Sequence, residues 1–250
     1  MKYRDGVTVV TNVTGDVHVN AHPVPGAQCS VRSAQDTQPP SYRAPSTEHR
    51  ALVVRRLGVA DYESVWQQMK EFTLARNADT PDEFWQVEHP PVYTLGVAAK
   101  PEHLPRIDNG IPVIKTDRGG QITYHGPGQL VIYTLLDLRR RNLGVRALVR
   151  RLERAVIELL RGYRIDANGR EDAPGVYVAG AKIAALGLRV RNGCCYHGLS
   201  LNVNMDLTPF SAINPCGFPG LEVTQLCDLG VADPAAIIAD KLLERLSAEI

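Results

Sequence analysis

The sequence has no apolar run approaching the roughly 18 residues that a membrane-spanning helix needs. Its first residues, MKYRDGVTVV, lack the apolar core and small-residue cleavage site of a secretory signal. Cysteine is scarce and odd in number: Cys29, Cys194, Cys195, Cys216 and Cys227, with no C-x-x-C pair. This argues against a disulfide framework and against a structural zinc site, and fits a reduced, cytoplasmic setting. Excess charge of either sign is missing too. Against 28 Lys and Arg stand 27 Asp and Glu, a net charge of +1, which excludes nucleic-acid binding through bulk positive charge. There is no internal repeat, and no G-x-x-x-x-G-K-[ST] loop for a nucleotide phosphate. What is present is ordinary globular composition in 250 residues, enough to bury a sizeable core.

Residues 1–50 differ from the rest. Pro23, Pro25, Pro39, Pro40 and Pro45 stand among Ser, Thr and Gln, which reads as a flexible N-terminal extension. Within it, VTVVTNVTGDVHV (7–19) alternates as a small hairpin turning near Gly15 would. Residues 51–250 read as one domain. LVVRRL is a first strand. Asp61 caps a helix running to about Asn77, with Val65, Met69 and Phe72 on one face. FWQVEH, VYTLG, PVIKTD, QITYHG and the long apolar LVIYTLLDL follow as strands. A helix spans about 143–162, with Leu148, Leu152, Val156, Leu159 and Leu160 as its stripe. VYV, KIAALGLRV and YHGLSLNVN are strands, and Lys182, Ala184, Leu186, Leu188 and Val190 are expected to share one face of the middle one. Asp233 and Pro234 open a last helix. Hairpins outnumber β-α-β crossovers, so the expected class is α/β or α+β, a mixed sheet flanked by helices.

Three segments carry unusual chemistry. DRGGQITYHGPGQLVIY (117–133) packs four glycines beside Arg118 and His125, so that backbone N–H groups can approach a ligand closely. INPCGFPG (213–220) holds Cys216 in a Pro- and Gly-bent loop fit to present a thiol, whereas Cys227, beside Leu226 and Leu229, reads as core and Cys194 and Cys195 as structural. In VYVAGAKIAALGLRV, Lys182 has apolar neighbours. A desolvated lysine can take and give a proton; an arginine cannot.

Together these segments resemble the octanoyltransferases of lipoate biosynthesis. RGGQITYHGPGQ (118–129), GAKIAALGLR (180–189), HGLSLNVN (197–204) and NPCGFPG (214–220) stand in that family's order, with EHPPVYTLG (88–96) and DAPGVYV (172–178) beside them. The likeness begins near Leu52 and leaves residues 1–50 without a counterpart. It implies transfer of octanoyl from octanoyl-acyl carrier protein to a lysine of a lipoyl domain, in 2-oxoacid dehydrogenase complexes or the glycine cleavage H protein. It assigns the thioester-forming nucleophile to Cys216 and its pKa-lowering partner to Lys182. Substrate-contacting stretches map onto Arg118, Gly119, Gly120, Gln121, Ile122, Thr123, Tyr124 and His125, onto Ala185, Leu186 and Gly187, and onto Gly198, Leu199 and Ser200. The implied fold is that of biotin protein ligases and lipoate–protein ligases, in a monomer. No cofactor and no metal are implied, because a thioester donor is already activated.

Residues 139–154 contain seven arginines, of which Arg146, Arg150 and Arg154 share a helix face. That spacing offers a dock for an acidic carrier protein, against the plainer reading of a solvated face. Two rival functions stand beside the main one. An ATP-dependent lipoate- or biotin-type ligase would share the fold and the lysine but has no need of Cys216. A non-catalytic relative would bind a carrier or lipoyl domain while lacking the reactive pair.

Overall fold

The computed structural model describes residues 7–10, 52–214 and 220–250. A mixed sheet of eight strands runs in the order β1-β2-β3-β7-β11-β10-β9-β8: β1 Val7–Val10, β2 Leu52–Val59, β3 Glu83–Glu88, β7 Gln129–Asp137, β8 Asn168–Gly169, β9 Gly175–Val178, β10 Ala181–Arg191 and β11 Cys194–Asn202. Only β2 and β3 pair in parallel; the other neighbours are antiparallel. A second sheet, in the order β5-β4-β6, consists of β4 Val92–Leu95, β5 Val113–Lys115 and β6 Ile122–His125. The mixed sheet flanked by helices is the class expected. Within the segment read as an extension, Val7–Val10 pairs with β2, Val10 opposite Leu52, while residues 11–19 of the expected hairpin lie outside the described residues.

The helices follow their sequence signals. α1 (Tyr62–Ala75) starts where the Asp61 carboxylate accepts the Ser64 N–H at 2.8 Å, satisfying a first-turn amide. α2 (Val145–Gly162) begins two residues later than its apolar pattern implied, because Asn142 takes a left-handed turn (φ 48°) and Leu143 drops into the core. α3 (Ala235–Glu249) ends on carbonyls captured by arginines: Arg151 Nη1 donates to Glu249 O and Arg141 Nη1 to Ile250 O, each at 2.8 Å.

One face of the large sheet packs on α2 and α3 through Leu148, Leu152, Leu159, Leu199, Leu201, Leu242 and Leu246. The other face packs on α1 through Val65, Met69, Trp85, Val131, Tyr133 and Tyr196. The small sheet lies over this second side, with Tyr93, Ile122 and Tyr124 buried against a 3-10 turn at Thr208–Ala212. Among the described residues no helix is long and apolar enough to cross a membrane.

The expected lysine stripe is corrected by a bulge. Lys182 faces Tyr177 on β9, yet Ala184 faces Val176, so one extra residue is inserted on β10. Ala184, Leu186, Leu188 and Val190 join the α2–α3 core; Lys182 does not, and instead lines a cavity with Thr123, Ser200 and Asn202. The slip moves the lysine out of an apolar layer, where a charge is costly.

Candidate functional site

Two rungs of the large sheet floor an elongated cleft. Across β7, β11 and β10 they read Val131–Ser200–Ala185 and Tyr133–Gly198–Gly187. β6 and the loop before it roof the cleft with Gly120, Gln121, Ile122, Thr123 and His125. The roof comes down closely at Gly187, where a Cβ would lie 3.0 Å from the Gly119 carbonyl oxygen.

The glycine-rich loop, the lysine hairpin and the HGLS strand converge here. Arg118, Ala185, Leu186, Gly198, Leu199 and Ser200 line the same cleft as the roof residues. Gly119 and Tyr124 do not. The Gly119 N–H donates to Leu188 O at 2.9 Å and pins the roof loop to β10, while Tyr124 packs edge-on against Phe210 on the far side of the small sheet. The Arg118 guanidinium is buried and binds carbonyls: Nη1 donates to Gly119 O at 2.9 Å and Nη2 to Gln121 O at 2.8 Å, with Nε on Thr94 Oγ1 at 3.0 Å. It thus fixes the shape of the glycine-rich loop.

Lys182 stands next to the cleft, in a smaller cavity that meets it at Thr123, Ala185 and Ser200. Its side chain is 3 % exposed, and Nζ donates to Pro174 O at 3.2 Å. Its backbone is bonded to the strand-like segment 222–224, through N to Glu222 O at 2.8 Å and O from Thr224 N at 3.0 Å. Gly175 (φ +151°) makes room for it, since a Cβ there would sit 2.5 Å from Lys182 Cε. The neighbouring Glu153 carboxylate accepts the Gly175 N–H at 2.9 Å; burial pushes its pKa up, against that hydrogen bond and the charges of Arg150 and Lys182. Cys216 lies outside the described residues. Of the described cysteines, Cys194 and Cys195 are buried, and burial pushes both thiols up, Cys195 to about 12. Cys227 departs from its expected place in the core. Leu226 fills that position, and Cys227 is half-exposed beside Asp228, its thiol raised by burial and then by that carboxylate.

A set of buried polar residues backs the cleft, and sequence reading singled out only His125 among them. His125 Nδ1 donates to Gln129 Oε1 at 2.7 Å; Gln129 Nε2 donates to Asn202 Oδ1 at 2.9 Å; Asn202 Nδ2 donates to Thr224 O at 3.0 Å. His89 donates from Nδ1 to Ala60 O at 2.7 Å and accepts the Tyr133 hydroxyl at Nε2 at 2.8 Å. Tyr62 stacks on His125 at 5.7 Å. Asp117 gathers Trp66, Tyr196 and His197. Only the adjacency of Asp117 to the Arg-Gly-Gly motif could have drawn attention to this group.

Burial lowers the pKa of His89, His125 and His197, that of His125 to about 3 with help from the charge of His89. The unfolded chain binds protons at these rings below about 6.5, while the folded protein resists them. Stability is therefore full above pH 6.5 and falls as the pH drops from there toward 3. At pH 5.5 His125 alone is expected to remove about 1 kcal/mol, with His89 and His197 acting in the same direction. Urea titrations at pH 7.5 and 5.5 measure this; equal midpoints would contradict it.

The arginine run divides. Arg140 and Arg141 bind the buried Asp82, whereas Arg146, Arg150 and Arg154 line a surface groove beside Glu153, Glu171 and Pro174. There Arg150 pairs with Glu171 at 3.0 Å and Arg154 with Glu249 at 3.6 Å.

Comparison with known proteins agrees with this geometry. Residues 61–247 match the family model described as the lipoyl protein ligase A/B catalytic domain. The octanoyltransferase of Nitrosospira multiformis is 62 % identical over 199 residues, covering 80 % of this chain and 92 % of that protein. Among solved structures, the bipartite lipoate protein ligase of Thermoplasma acidophilum superposes with a TM-score of 0.60 at 17 % identity, covering 78 % of this chain and 82 % of that one. Biotin protein ligase from Aquifex aeolicus gives 0.53 at 16 %, covering 78 % and 69 %. At such identities the two structures speak for the fold alone.

Proposed function

The chain belongs to the octanoyltransferase family, acyltransferases on the lipoyl protein ligase A/B catalytic domain, and from this we propose that it carries octanoyl from an acyl-carrier-protein thioester to a lipoyl-domain lysine through a thioester on Cys216. The observation that carries the reading is a buried amine, Lys182, set at the junction with a cleft that the family-like motifs line. The thiols of Cys194, Cys195 and Cys227 are all raised, which makes each a poor nucleophile at neutral pH. Val223, seven positions beyond Cys216, forms a backbone bridge with Lys182, which supports this pairing.

The reaction balances without nucleotide. The Cys216 thiolate attacks the carrier thioester; the bond from the acyl carbon to the carrier sulfur breaks, and that sulfur takes its proton from the Lys182 ammonium, leaving a neutral amine. The acceptor lysine then gives a proton to that amine and attacks the enzyme thioester. A C–N bond forms, Cys216 departs as thiolate, and the second proton of the attacking nitrogen leaves to solvent. Lys182 serves first as the ammonium that favours the thiolate, then as the base. Backbone N–H groups of the glycine-rich loop are fit to hold the oxyanion.

The test is intact-mass spectrometry after mixing the protein with octanoyl-carrier protein and no ATP. One octanoyl adduct is expected, and it should be discharged onto an added lipoyl domain. A requirement for ATP and magnesium would favour the ligase rival.

Charge reversal at Arg146 and Arg150 should slow transfer from the carrier-bound donor more than from a short octanoyl thioester. Because Glu171 and Glu249 already offset part of this charge, the expected slowing is only about threefold, within the range of exposed ion pairs. Equal losses on both donors would count against docking there.

A further inference from the structure

The cleft is lined by a polar group whose polarity is fixed. The cavity of Lys182 meets the cleft at the Ala185–Ser200 pair, and His197 stands opposite Leu188, three rungs further along the same two strands. At roughly 3.4 Å per residue that is about 10 Å. Strict alternation would point His197 toward the α2–α3 core with Leu199 and Leu201. Instead its backbone is left-handed, φ +61°, a strained choice for a non-glycine residue inside a strand. The ring thereby lies on the cleft side, stacked on Tyr196 at 5.1 Å and edge-on to Tyr133 at 6.1 Å.

Asp117 sets which ring nitrogen of His197 is the acceptor. Its carboxylate accepts from Trp66 Nε1 at 2.8 Å, from the Tyr196 hydroxyl and from His197 Nε2 at 3.0 Å. Burial works against its ionisation, but these donors hold its pKa well below the usual carboxylate range. An ionised carboxylate only accepts, so Nε2 carries the proton of the neutral imidazole and Nδ1 presents a lone pair. Nδ1 is buried and has no hydrogen-bond partner among the described residues, and His197, 1 % exposed, lines the cleft.

An extended acyl chain advances about 1.3 Å per carbon on C–C bonds of roughly 1.5 Å. Eight carbons laid from the Ser200 rung therefore end at His197. We propose that His197, positioned by Asp117, is the floor of the acyl slot and determines chain length, an inference that rests on the acyl-transfer reading above. A methylene pushed against the lone pair shuts out any solvent donor, which disfavours longer chains. A chain ending in a hydroxyl supplies the missing donor.

The experiment uses octanoyl, decanoyl and 8-hydroxyoctanoyl thioesters of N-acetylcysteamine, read as the rate of protein adduct formation. The wild type should favour octanoyl over decanoyl by about tenfold or more, the scale of one buried acceptor left unpaired, and should accept the 8-hydroxy chain at a rate within threefold of octanoyl. His197→Gly takes the left-handed backbone without strain and opens the floor; it should raise the decanoyl-to-octanoyl ratio about tenfold. His197→Asn, also tolerant of that backbone, should fall between. An unchanged ratio in either variant, with a melting midpoint near that of the wild type, would overturn the proposal, as would rejection of the 8-hydroxy chain by the wild type. No adduct from any thioester in the wild type would instead overturn the acyl-transfer reading beneath it.

Discussion

Replacing Cys216 by alanine should abolish the octanoyl adduct and lower transfer to a lipoyl domain by about 10³-fold or more, since the route loses its covalent intermediate. A free cysteine near pKa 8.5 is only a few per cent thiolate at pH 7, and a neighbouring ammonium that lowers it by about two units supplies roughly 2.7 kcal/mol of preference for the charged form. Lys182→Ala removes that ammonium and the base together, and adduct formation should slow by about a hundredfold. Lys182→Arg separates the two roles. A guanidinium keeps the positive charge but does not lose its proton, so the thioester should still form while its discharge onto the acceptor amine stalls. Single-turnover mass spectrometry on the three variants distinguishes these outcomes. Undiminished adduct in Cys216→Ala would sink the covalent route, and equal rates of formation and discharge in Lys182→Arg would sink the double role of the lysine.

The sequence made some of this arrangement legible and hid the rest, for reasons that lie in distance along the chain. Amphipathic stripes and caps are local, so Asp61 with Val65 and Met69, or Leu148 with Leu152, could be read directly. The glycine-rich loop and the lysine hairpin were visible as composition, and they do meet at one cleft. Their meeting depends on the β7–β11–β10 register, which no local pattern announces. The bulge that turns Lys182 out of the apolar stripe is likewise a single inserted residue in a run that looks regular. The cluster of Asp117, Trp66, Tyr196 and His197 draws on a helix, a loop and a strand far apart in sequence, and each member alone has an ordinary structural reading. The left-handed backbone of His197 was hidden for the same reason: strain at a histidine has no compositional mark.

Asp82→Ala is expected to cost about 3–5 kcal/mol, because it leaves the buried Arg76 guanidinium with no acid partner among the described residues. Three guanidinium groups converge on this carboxylate. Arg76, 4 % exposed, and Arg140 bind Oδ1, the latter at 2.7 Å; Arg141 binds Oδ2; and Oδ1 also accepts the Asp137 N–H at 2.8 Å. Asp82 directly precedes β3, Asp137 ends β7, and Arg141 reaches on to the last carbonyl of α3, so one side chain ties four parts of the fold. Against a total stability of roughly 5–15 kcal/mol the loss is large. It should lower the urea midpoint by about 1–2 M for a slope of 2–3 kcal/mol/M. Asp82→Asn, which still accepts hydrogen bonds but lacks the charge, should lie between. Because this cluster sits away from the cleft, the decanoyl-to-octanoyl ratio of whatever fraction remains folded should not move, whereas a shift in that ratio would mean that the register of β7 is coupled to the depth of the slot. Charge reversal at exposed Arg150 should cost under about 1 kcal/mol in stability. The arginine run thus divides by burial: its first part serves the fold through one acid, and the part on α2 is left to face whatever approaches the groove.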